Sequence, residues 1–102
     1  MGNKSYGLNY ERKEKKLLES YGWTVFRQRG SFSCFDIIAF KDDNWLVESI
    51  KSTKQKNYSY KKEIEKLKEI KMPNGTIKRL ILYHKGKRKI IYESSGINEI
   101  QE

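Results

Sequence analysis

The segment Phe35-Asp36-Ile37-Ile38-Ala39-Phe40 constrains the fold more than any other stretch of the chain. It is a nearly continuous apolar, β-branched and aromatic run holding one acid, the pattern of a strand covered on both faces. Lys41-Asp42-Asp43-Asn44 then reads as a hairpin turn, and Trp45-Leu46-Val47-Glu48-Ser49-Ile50-Lys51 as a strand pairing back on the first. A chain of 102 residues supplies one compact domain with one core, so this hairpin belongs at its centre. Two charged residues, Asp36 and Glu48, are thereby placed in the middle of a sheet, with Lys51 at a strand end. A charge buried there costs several kcal/mol unless something pairs with it, and a shared cation is one such partner.

The rest of the chain supplies the layers around that hairpin. Tyr10, Leu17, Leu18 and Tyr21 repeat at helical spacing and Gly22 follows where a helix commonly stops. Trp23-Thr24-Val25-Phe26-Arg27 reads as a strand, broken by Gly30-Ser31-Phe32-Ser33. Ile64, Leu67 and Ile70 place a second helix between Tyr60 and Met72, ended by Pro73-Asn74-Gly75. Arg79 to Tyr83 and Lys89 to Tyr92 flank Lys85-Gly86-Lys87 as a last hairpin with a basic tip. The expected order is helix, three strands, helix, two strands: a single α/β domain over residues 1–102, with one mixed β-sheet flanked by helices.

Charge narrows the partners. Lys plus Arg number 22 against 13 Asp plus Glu, a formal net charge of +9, which favours a polyanion. Aromatics at 13% argue against a disordered basic tail. No apolar run approaches the roughly 20 residues needed to cross a bilayer, and the N-terminus lacks the apolar stretch of a signal peptide, so a cytoplasmic protein with no membrane partner is expected. A lone Cys34 and a lone His84 exclude an internal disulfide and a Cys/His zinc site, leaving carboxylates for any metal.

The positive charge is clustered. Lys51, Lys54, Lys56, Lys61 and Lys62 follow the central strand, Arg27 and Arg29 precede the Gly-Ser turn, and Lys85, Lys87, Arg88 and Lys89 surround the last hairpin tip. Such groups suit phosphate contacts, which position nucleic acid without reading its sequence and weaken with salt. Tyr58, Tyr60 and Trp45 are placed either to stack on bases or to join the core.

Glu11 falls a heptad before Leu18, near the helix stripe that faces the sheet. Glu11, the Gly30-Ser31 turn, Asp36, and Glu48 with Lys51 would together form one pocket suited to metal-assisted phosphodiester hydrolysis. In that chemistry carboxylates hold a divalent ion and a lysine orients the nucleophile or offsets developing negative charge.

The sequence resembles the archaeal Holliday-junction resolvases of the PD-(D/E)XK nuclease superfamily. The resemblance is carried by Tyr10-Glu11-Arg12, Leu17-Leu18-Glu19-Ser20-Tyr21-Gly22-Trp23, Val25-Phe26-Arg27, Gly30-Ser31, Phe35-Asp36-Ile37-Ile38-Ala39 and Ile50-Lys51-Ser52-Thr53-Lys54, with Ser94-Ser95-Gly96 near the end. It implies a restriction-endonuclease-like fold, Glu11 and Asp36 as metal-binding acids, Ser31 as an active-site serine and Lys51 as the catalytic lysine. It also implies a homodimer that nicks four-way DNA junctions with Mg²⁺ or Mn²⁺.

One departure stands out. The family pattern is an acid, one intervening residue, then the lysine, whereas here Ser49 takes the acid's position and the acid is Glu48. Strand side chains alternate, so Ser49 and Lys51 share a face while Glu48 points the other way. A β-bulge between Glu48 and Lys51 would return Glu48 to the site as a third catalytic and metal-binding acid. Without a bulge the chain is an impaired relative that binds branched DNA or a recombination partner. A third class, an RNA-binding or small interaction protein, predicts that Glu11, Asp36 and Lys51 do not converge.

Overall fold

The computed structural model describes residues 2–28 and 35–94, with side chains in the first helix described from residue 9 onward. The elements run α1 (Gly2–Ser20), β1 (Thr24–Arg27), β2 (Ile37–Lys41), β3 (Asn44–Thr53), α2 (Lys61–Glu69), β4 (Thr76–His84) and β5 (Lys87–Ser94). This is the expected order. The five strands form one mixed sheet in sequence order, antiparallel throughout except for the parallel β3–β4 pair that α2 connects.

The two faces follow from strand alternation. Leu18 of α1 packs with Val25, Ile37, Ala39 and Leu46, while Tyr10 stacks on Tyr83 beside Ile81. On the opposite face Leu67 of α2 packs with Phe35, Val47 and Leu80. Leu18, Ile37, Leu46, Leu67, Leu80 and Ile81 are almost wholly removed from water, and each such side chain contributes about 1.5–3 kcal/mol.

The C-terminus of α1 has a defined geometry. Trp23 N–H donates to the Leu18 carbonyl at 3.1 Å and Gly22 N–H to that of Glu19 at 3.0 Å, with Gly22 at φ +97°. That is a Schellman motif, and the Trp23 side chain joins Leu18 in the core as the motif favours. It fixes the angle at which β1 leaves the helix.

α2 ends at Glu69, earlier than the sequence pattern suggests, because Ile70 turns extended at φ −74°, ψ 126°. Buried Lys78 on β4 then reaches the freed carbonyls: its Nζ donates to Leu67 O at 2.8 Å, to Lys68 O at 3.4 Å and to Ile70 O. A cation at a helix C-terminus also complements the helix dipole.

Both hairpins turn through left-handed residues, Asp42 in the first and Lys85 with Gly86 in the second. A register shift falls in the β4–β5 ladder between Leu80 and Ile81. In the last hairpin Leu80 and Leu82 are core residues, whereas Ile90 is exposed.

Candidate active site

The β2–β3 ladder pairs Lys41 with Asn44 through to Ile37 with Glu48. Beyond it β3 runs on to Thr53 against β4 alone. Asp36 stands where the ladder opens: its N–H donates to the Glu48 carbonyl at 2.8 Å, and its Oδ2 accepts from Ile50 N–H at 2.6 Å. The carboxylate thus takes the place of the next strand carbonyl, which explains an acid at the end of an apolar strand.

Glu11, on α1, and Lys51, farther along β3, both act on this point. Burial raises the Asp36 pKa above its ordinary value, opposed by the Ile50 hydrogen bond and the Lys51 charge. Burial also raises the Glu11 pKa, the Asp36 charge adds to it, and Arg27 opposes it. Glu11, Asp36 and Lys51 therefore share one electrostatic neighbourhood at the open end of the ladder, with Arg27 at its rim. The third class of function, which required that they not converge, is not favoured. Ser31 and Arg29, expected beside them, lie outside the described residues.

Glu48 does not join this group. The β3–β4 register runs without a shift from Trp45 opposite Thr76 to Thr53 opposite His84. The bulge that would have brought Glu48 around is therefore absent, and regular alternation puts Glu48 on the α1 face between Leu46 and Ile50. Among the described residues no three His, Cys, Asp or Glu side chains gather where they could hold a metal ion. The expected triad of Glu11, Asp36 and Glu48 does not assemble.

Glu48 instead belongs to a buried charge network under α1. Glu14 and Glu48 are each 0% exposed. Arg88 holds Glu14, Tyr83 donates to Glu14 Oε1 at 2.8 Å, and Arg79 donates to Glu48 Oε2 at 3.2 Å and to Glu93 at 2.9 Å. Glu48 Oε1 has no hydrogen-bond partner among the described residues. Burial, reinforced by the Glu14 carboxylate, pushes the Glu48 pKa up to about 9 against the pull of Arg79. Burial also works to raise Glu14, but Arg88, the neighbouring Glu48 carboxyl and Tyr83 outweigh it and the Glu14 pKa falls below its usual value. The pair retains one proton, held on Glu48. Arg88, expected on nucleic acid, is likewise committed to the interior through its ion pair with Glu14. Nothing in the sequence spacing linked Glu14 to the last hairpin, so this network was missed.

Lys54, Lys56, Lys61, Lys62, Lys85, Lys87 and Lys89 are exposed. Sequence reasoning overlooked a further basic surface: an open groove of about 720 Å³ lined by Arg12, Lys13, Lys15, Lys16 and Arg27 along α1. The run of Lys and Arg directly after Glu11 was the signal for it.

Comparison with known proteins bears on the family and the fold. No curated protein matches. A family model described as archaeal Holliday junction resolvase (Hjc) matches residues 2–99. Among solved structures the chain is similar to that of Archaeoglobus fulgidus Hjc, a Holliday junction resolvase from an archaeal hyperthermophile. That match has a TM-score of 0.60 and 26% identity, and it covers 74% of this chain and 67% of the other. With the family pattern running along nearly its whole length on the same restriction-endonuclease-like fold, the chain belongs to the archaeal Holliday junction resolvases, structure-specific endonucleases of branched DNA.

Proposed function

We propose that this chain hydrolyses branched DNA with the help of a divalent ion, Mg²⁺ or Mn²⁺, at a reduced site built from Glu11, Asp36 and Lys51. The observation that carries this reading is the position of Asp36 where the β2–β3 ladder opens, its carboxylate fixed by Ile50 N–H, under the charge of Lys51 and itself acting on Glu11. Ser49 occupies the third ligand's place, and Glu48 serves the fold instead. A site of two carboxylates suits Mg²⁺, which keeps several waters and is commonly bound by one or two carboxylates plus phosphate oxygens. Burial and mutual repulsion raise the Glu11 pKa, a condition that a bound cation relieves.

When bound, the ion supplies the positive charge that polarises the scissile phosphate. Lys51 offsets negative charge developing on the phosphate. Asp36 is held in one orientation by Ile50 N–H. Ser31, which the family resemblance implies at the active site, belongs to the proposed set. Arg27, Arg29 and the lysines at 54, 56, 61, 62, 85, 87 and 89 hold the phosphate backbone against the site.

Two copies of the chain would present two such sites to the two-fold symmetry of a four-way junction. The surface we assign to that association is the aromatic strip Phe26, Phe40 and Trp45. Its rings run across β1, β2 and β3 at centroid spacings of 6.0 and 5.4 Å. Phe26 is 57% and Trp45 43% exposed.

Cleavage of a four-way junction with Mg²⁺ or Mn²⁺ tests the reading. The natural protein should cut, Asp36→Ala should not, Glu48→Gln should cut nearly as well as the parent, and Ser49→Glu should cut faster. Folded Glu48→Gln protein that has lost cleavage, beside active Asp36→Ala, would overturn it.

A further inference from the structure

Two segments of the chain, 49–62 and 80–92, contain no acid, and between them they carry nine Lys and Arg residues. The parallel β3–β4 pairing sets them side by side, with Thr53 opposite His84 and Lys85 N–H donating to Thr53 O at 3.0 Å. At that junction sits an aromatic pair that the hydrophobic clusters do not use. The Tyr58 ring lies 5.1 Å from the His84 ring at 57°, and Tyr60 lies 5.8 Å from Tyr58. Tyr60 packs on the α2-side core and anchors the group, whereas Tyr58 is 37% exposed.

The His84 ring is held from both edges. Its Nε2 is 2.8 Å from the Gln55 carbonyl, which can only accept, so Nε2 carries the proton and Nδ1 faces Lys89 Nζ at 3.5 Å. The site is a fixed imidazole beside a part-exposed phenol, ringed by lysines. Its chemistry fits a flat, electron-rich ring flanked by phosphates. A shallow depression of about 420 Å³ next to it, lined by Tyr10, Lys54, Lys85 and Gly86, has the lysines to receive a phosphate.

We propose that Tyr58 and His84 form a stacking platform for an unstacked nucleobase at the branch point, with the surrounding lysines on its flanking phosphates. The platform separates branched from continuous DNA, because a continuous duplex keeps its bases stacked on one another and offers no ring to Tyr58. Phosphate contacts alone do not make that distinction. This rests on the resolvase reading but concerns recognition, not bond cleavage.

The test uses protein carrying Asp36→Ala, so that binding is measured without cutting. Affinity is measured for a four-way junction and for a continuous duplex of equal length, and 2-aminopurine at the branch point reports stacking. Adding Tyr58→Ala should lower junction affinity about tenfold, leave duplex affinity unchanged and release the 2-aminopurine quench. Tyr58→Phe, which keeps the ring and loses the hydroxyl, should restore all three readings. Equal losses on both DNAs, no loss on either, or failure of Tyr58→Phe to restore binding would each overturn the platform while leaving the cleavage reading intact. A parent protein with no preference for the junction would overturn both.

Discussion

Arg88 grips Glu14 through two hydrogen bonds, Nε to Oε1 at 2.8 Å and Nη2 to Oε2 at 2.7 Å. A residue of the last hairpin thereby sets the seating of α1, three residues past Glu11. The position of Glu11 relative to Asp36 depends on an ion pair that touches neither of them.

Glu14→Gln should destabilise the protein by ~3 kcal/mol, because it leaves Arg88 partly buried without its counter-charge. Glu48→Gln should change stability by less than about 1 kcal/mol, since Glu48 is held as the neutral acid and Gln is a neutral isostere. Urea denaturation of the two variants beside the parent measures both. A Glu48→Gln loss equal to that of Glu14→Gln would contradict the assignment of the shared proton.

The same pair sets a pH dependence. With its folded pKa raised from 4.5 to about 9, Glu48 retains a proton that the unfolded chain has released. Its contribution to stability therefore falls as pH rises between those values. Glu14, with a lowered pKa, contributes above its unfolded value and loses that contribution only in acid. The urea midpoint of the parent should decline from about pH 6 to about pH 9 more steeply than that of Glu48→Gln. Parallel profiles would refute this.

Replacing Ser49 by Glu should lower the Mg²⁺ concentration at half-maximal junction cleavage by at least about tenfold. Ser49 shares a strand face with Lys51, so the new carboxylate is placed where the family pattern has one. A metal titration of cleavage rate reads the effect, and an unchanged midpoint would mean that Ser49 does not face the ion.

Lys78→Met should cost about 1–3 kcal/mol, because the carbonyls of Leu67, Lys68 and Ile70 at the end of α2 lose their donor. Amide exchange should quicken in α2 more than in β4. Uniform loss of protection would show that Lys78 acts on the sheet rather than on the helix end.

Phe26→Lys together with Trp45→Lys should convert a dimer to a folded monomer in sedimentation equilibrium. An unchanged mass would move the association surface elsewhere.

Much of this molecule was legible before its structure. The hairpin 35–51 announced itself through apolar continuity, and both helices through periodicity, since burial leaves a periodic trace. The family resemblance and the cost of charge on buried strands pointed to Glu11, Asp36 and Lys51, and the structure puts Asp36 under the charge of Lys51 and Glu11 under that of Asp36. What the sequence concealed was long-range pairing between charged groups. Nothing in the sequence singles out Glu14, and Arg88 reads as part of a basic tip, because an ion pair between residues 74 positions apart leaves no local pattern. Glu48 was read as a displaced ligand for the same reason: Arg79, its actual partner, lies on another strand. The early end of α2 was hidden too, since Lys78, which donates to the carbonyls freed there, lies on a strand beyond it.

The parallel β3–β4 pair also bears on how the chain folds. Thr53 and His84 meet only after the whole α2 crossover has closed, an entropic cost incurred before any strand hydrogen bond offsets it. The two segments that meet there repel each other, so the collapsing chain faces an electrostatic barrier where its topology is already slowest. Refolding should therefore quicken as counter-ions accumulate, and a nucleic acid backbone present during folding would act on this chain as an assembly template.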